Sequence, residues 1–104
     1  MNRQQMRLDG YLRRNRDLVP FLKDILEHPC STLAESAKRL GYTDDGMTKY
    51  GMRFNSPKIR AFTTVYEKDR RCPRCHKARV TVHAYMIRPE CEAALREVLA
   101  DVEG

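Results

Sequence analysis

The stretch Leu33–Arg53, LAESAKRLGYTDDGMTKYGMR, constrains this chain more than any other, because it carries the residue grammar of two short helices crossing through a tight turn. Such a helix-turn-helix needs a small residue where its first helix is closely approached, and Ala37 supplies it. It needs a residue that tolerates positive φ in the turn, and Gly41 follows four positions later. Leu40, Tyr42, Met47 and Tyr50 give the apolar positions around the turn and on the inner face of the second helix. Ser36 stands where an apolar residue is usual, and the same pattern also fits an ordinary helical hairpin.

Read as a helix-turn-helix, Thr43–Arg53 is the recognition helix, with Asp45, Thr48, Lys49, Met52 and Arg53 facing outward. Thr48, Lys49 and Arg53 are suitable donors to bases and phosphates, and Lys58 and Arg60 extend the set into the next segment. Asp44 and Asp45 would repel phosphate, so that end of the helix is not expected deep in a groove.

The flanking elements follow from caps and breaks. Residues 1–16 form a basic arm with a weak apolar face, either a partly ordered helix or a flexible tail. Asp17–Glu27 predicts a helix, with Leu18, Leu22, Ile25 and Leu26 on one stripe, Asp17 as its cap and Pro20 in its first turn. His28-Pro29 ends it. Thr32 and Glu35 make a capping box for the helix that follows. Thr43 or Asp44 caps the next one, and Ser56-Pro57 restarts a short helix after it. Thr63–Tyr66 and Arg79–Tyr85 are rich in β-branched and aromatic residues and read as a hairpin. Pro89 opens a final helix with Leu95, Val98, Leu99 and Val102 on one face.

The expected fold class is therefore α+β: a helical first half, then a hairpin and a last helix. Three regions are expected: the arm at 1–16, a DNA-binding region at 17–62, and a metal-stapled hairpin with its helix at 63–104.

Charge points to a polyanion. The net charge is +6, but residues 1–60 carry 12 Lys/Arg against 7 Asp/Glu, and residues 70–79 carry Arg70, Arg71, Arg74, Lys77 and Arg79 with no acid. Residues 90–103 reverse the sign, with Glu90, Glu92, Glu97, Asp101 and Glu103 against Arg96. A basic front and a basic hairpin fit double-stranded DNA, through Arg70, Arg71 and Arg74 beside the recognition helix. No apolar run is long enough for a membrane span, and no apolar stretch follows the basic N-terminus, so a cytoplasmic protein is expected.

In that compartment, Cys72-Pro-Arg-Cys75 reads as a zinc knuckle, since two intervening residues let both thiolates reach one tetrahedral ion. Cys91 sits one turn before Leu95 and should point inward to supply a third ligand. His83 is the first choice for the fourth, then His76, then Cys30. A structural zinc is the expected cofactor. The alternative is a reduced pair of packing cysteines. Cys72–His76 also spells CxxCH, the pattern of haem attachment, but the expected compartment and the basic setting argue against it. No nucleophile–base pair and no phosphate loop is present, so no enzyme is expected.

Ala34–Thr43, AESAKRLGYT, with Tyr50–Ala61, YGMRFNSPKIRA, resembles the N-terminal DNA-binding segment of phage terminase small subunits. The Gly-Tyr-Thr and Asn-Ser-Pro-Lys-Ile-Arg elements carry the likeness over about residues 30–62, with one residue inserted before the proline. The resemblance implies a phage protein that binds viral DNA at a packaging site and assembles as a homo-oligomeric ring with the large terminase subunit. The basic hairpin from residue 63 onward lies outside that pattern, and small transcription regulators share the same helix pair. The competing expectation is a protein-interaction module that docks on a host polymerase or nuclease.

Overall fold

The computed structural model of the chain describes residues 1–42, 46–71 and 75–104, and at 46–49, 70 and 80 the backbone alone. The elements run α1 (Arg3–Arg14), a 3-10 turn (Arg16–Leu18), α2 (Val19–Glu27), β1 (Ser31–Thr32), α3 (Leu33–Arg39), α4 (Gly46–Phe54) and α5 (Pro57–Arg60). Then come β2 (Thr63–Arg71), β3 (Arg79–Ile87), a second 3-10 turn (Pro89–Cys91) and α6 (Glu92–Glu103). The sheet is antiparallel, with β3 between β1 and β2. The class is α+β, as the periodicities require.

Local chemistry sets the boundaries of α3. The Thr32 hydroxyl accepts from the Glu35 N–H at 3.1 Å, and the Glu35 carboxylate accepts from the Thr32 N–H at 3.0 Å, the reciprocal capping box expected there. At its other end Gly41 has φ +80, which a Cβ would resist. The Gly41 N–H donates to the Lys38 carbonyl and the Tyr42 N–H to the Ala37 carbonyl, closing the helix with a Schellman turn. The proposed caps of α4, Thr43 and Asp44, lie outside the described residues. Asp17 does not cap α2. It pairs with Arg53 instead, and Pro20 still stands in the first turn.

One apolar core joins all three expected regions. Leu8 and Leu12 from α1, Phe21, Leu22 and Ile25 from α2, Phe54 and Ile59 from α4 and α5, Tyr85 and Ile87 from β3, and Leu95, Val98 and Val102 from α6 belong to it. The arm is thus a packed helix. Its Asn2–Gln5 capping box fixes its start, and the Gln5 amide reaches across to the Ala94 carbonyl of α6 at 3.2 Å. Leu8 and Leu12 are a one-turn pair, enough to bury a single stripe.

Polar ties hold the helices in place. Arg39 donates to both carboxylate oxygens of buried Asp24, with contacts of 2.7 and 3.0 Å. Burial is the largest single influence and pushes the Asp24 carboxyl up, but hydrogen bonds from Arg39 and Ser36 and the charges of Arg39 and His28 together outweigh it and hold the group below the ordinary carboxylate value. Arg53 at the end of α4 grips both Asp17 oxygens at 2.6 and 2.8 Å. The Arg53 carbonyl accepts from the Tyr11 hydroxyl at 2.8 Å, so α1, α4 and the 3-10 turn before α2 meet at this residue.

Candidate nucleic-acid interface

Two structures project the features expected to meet DNA: the α3–turn–α4 pair and the β2–β3 hairpin. An aromatic cluster seats α4. Tyr50 stands 4.7 Å from Phe21 and 5.9 Å from Tyr42, ring centre to ring centre, and Phe54 meets Tyr85 edge-on at 5.0 Å. These contacts bury one side of α4 against α2, the turn and the sheet. Met52 faces away from them and is 85% exposed.

The hairpin can be read pair by pair. Residues directly opposite one another share a sheet face. On one face the pairs run Thr63–Ile87, Val65–Tyr85, Glu67–His83, Asp69–Thr81 and Arg71–Arg79. The first two are sunk in or packed against the core. The next two are exposed, and the Thr81 hydroxyl donates to Asp69 at 3.3 Å. The last sets two exposed arginines against each other. Like charges directly opposite destabilise a ladder, so this pair works against the hairpin unless an anion lies across it. On the other face Ala84 leaves room for Tyr66 opposite it. A hydrogen bond with Cys30, aided by burial, pushes the Tyr66 phenol up to about 12.

The residues chosen from sequence divide sharply. Arg71 is exposed at the far end of the hairpin, and Arg60 is exposed at the end of α5. Arg70 lies in β2 opposite Val80, and Thr48 and Lys49 lie in α4, one turn before Met52. Arg74 falls outside the described residues. Lys58 is half-buried, with its ammonium 5.1 Å from the centre of the Tyr11 ring. Arg53 is half-buried and committed to Asp17, Asn15 and the face of Tyr50. Its hydrogen bond to Asp17 raises its affinity for its proton above the ordinary value. Arg53 therefore positions α4. It is not an outward-facing donor. Arg79 belongs to the cationic run read from sequence but not to the expected DNA contacts, because its place opposite Arg71 depends on a strand register that the turn sets.

The zinc site is corrected. Among the described residues no group of three or more His, Cys, Asp or Glu side chains could hold a metal. The reason is geometric. Cys75 is exposed in the turn beyond Arg71–Arg79, whereas Cys91 follows the base pair Thr63–Ile87. Eight residue steps separate those ends, about 26 Å at strand rise. Cys91 points inward as expected, but its thiol faces the Ala61 carbonyl at 3.8 Å. His83 is midway along the hairpin opposite Glu67, and Cys30 sits at the turn before β1. His76, the other candidate, is in the distal turn at φ +58, where the Ala78 N–H donates to the Cys75 sulfur at 3.4 Å. Cys72 falls outside the described residues. The chain's own ladder and core contacts join the hairpin to the body.

Among the described residues no helix is long and apolar enough to cross a membrane. No protein-family model, no curated protein and no solved structure matches the chain.

Proposed function

We infer that this is a non-enzymatic double-stranded DNA-binding protein that docks the α3–α4 pair as a helix-turn-helix and lays the basic end of its hairpin along the same duplex. The single observation that carries this reading is the opposed pair Arg71–Arg79, at the end of a ten-residue stretch holding five cations and no acid. A folding chain has no use for that repulsion. A phosphate backbone does, because each arginine that replaces a condensed counterion releases it.

The α3–α4 geometry supports the other half. Gly41 and its Schellman turn end α3 sharply, which supports a helix-turn-helix reading, and the aromatic cluster holds α4 with Met52 outward. The elements that resemble terminase small subunits lie on α3, α4 and α5. On that resemblance the DNA is a packaging site, with a homo-oligomer and a large subunit as partners in a host cytoplasm. A transcription operator is the other destination for the same surface.

The test is a titration of a fluorescent duplex at increasing salt. The affinity should fall steeply with salt, and Arg71→Ala with Arg79→Ala should reduce the log–log slope by about two, one for each lost phosphate contact. Absence of binding at low salt would overturn the reading, and capture of a host polymerase or nuclease would then favour the protein-docking alternative.

A further inference from the structure

Two features of α4 have no explanation among the described residues. Among the described residues Met52 is the most exposed large apolar side chain, at 85%, on the helix whose other side is packed into aromatic rings. Beside it, Gly51 sits in the second turn of α4, inside a helix, where glycine is the poorest helix former after proline. Nothing among the described residues demands that glycine. Its φ is not positive, and a Cβ built there would meet no atom of the described residues within 4 Å. The missing side chain leaves room for something outside the chain. The exposed thioether next to it offers an apolar, adaptable contact in an otherwise cationic protein.

We propose that Met52 is a sequence-reading contact of α4, packing on the 5-methyl group of thymine in the major groove while Gly51 lets the helix backbone come close to the DNA. The proposal rests on the duplex-binding reading above. In the major groove the only apolar group a base pair presents is the thymine methyl. Lysine and arginine contacts to phosphate carry no sequence information, so a basic protein that reads sequence needs side chains of another kind at the base edges. Positions 48 and 49 lie one turn before 52 on α4. Arg53, held by Asp17 and with its carbonyl bonded to Tyr11, fixes the helix beside Met52.

The test uses a duplex selected for binding from a randomised library. Each thymine in turn is replaced by deoxyuridine, which deletes the methyl and keeps every hydrogen-bonding group. Wild type should lose about fourfold in affinity at one or two positions, the worth of one buried methyl. Met52→Ala should bind the thymine duplex about fourfold more weakly and lose nothing further with deoxyuridine. Gly51→Ala should bind more weakly while melting at a higher temperature, which separates contact from folding. The proposal is overturned if wild type is indifferent to every replacement, if Met52→Ala keeps the same sensitivity, or if selection returns no preferred sequence. Duplex binding with ordinary salt dependence in any of those cases would leave the broader reading standing. Absence of any duplex binding would remove both.

Discussion

The two ends of one hairpin obey opposite rules. At its base, Tyr85 is 2% exposed, meets Phe54 edge-on, and its hydroxyl accepts from the Asn55 amide at 3.0 Å. Arg88 continues the fit by donating its backbone N–H to the Phe62 carbonyl. At the far end, Arg71 and Arg79 oppose each other in solvent. The base is built from contacts that stabilise the chain, and the distal end from charges that do not. On the proposed reading, the difference teaches that the base serves the fold and the distal end serves a polyanion outside it.

The most severe way to break the comparison is at the base. Tyr85→Ala removes a buried ring from the junction of α4 and the sheet and should cost about 4 kcal/mol in denaturant unfolding. A loss near zero would mean that the hairpin is not anchored as described.

Next is the ion pair that holds α3 to α2. Arg39→Ala leaves Asp24, whose side chain is 7% exposed, without its partner, and should cost about 3 kcal/mol at neutral pH. The pH dependence has a definite sign. The folded-state pKa of Asp24 is depressed, so the wild-type pair contributes fully above the ordinary value of 3.8 and is lost as pH falls through the folded value. The penalty of Arg39→Ala should therefore shrink in acid, where a protonated Asp24 needs no cation. A penalty independent of pH would place the loss in packing.

Arg53→Ala should cost about 1–2 kcal/mol in thermal unfolding, as a half-buried bidentate pair does. If instead stability is unchanged and duplex affinity drops, Arg53 is a DNA contact and the latch to Asp17 is incidental. The smallest effect on stability belongs to the distal pair. Arg71→Ala and Arg79→Ala should each move stability by less than about 0.5 kcal/mol, and relief of the repulsion favours a slight gain. A clear loss would show that the arginines serve the fold.

These positions also mark what was legible beforehand. The helix pair, its capping box and its glycine turn were readable because each depends on residues within four or five positions: Thr32 with Glu35, Ala37 with Gly41. The hairpin's existence was readable from Thr63–Tyr66 and Arg79–Tyr85. Its length was not, since only the register reveals that the ladder runs on to Arg71 opposite Arg79. That length defeats the zinc hypothesis, because it carries Cys75 far from Cys91. Arg53 looked outward on a helical wheel, and only the turn at Asp17, far away in sequence, shows that it is claimed. The arm was underestimated because two leucines, Leu8 and Leu12, make a faint stripe that becomes decisive only against α6.

Hydrogen exchange on the whole chain, with and without a duplex that binds it, tests the central claim most directly. The account predicts added protection in α4 and around the hairpin turn at residues 75–79, with the acidic outer face of α6 unchanged. Protection concentrated in α6, or in the hairpin base with none at the turn, would contradict it.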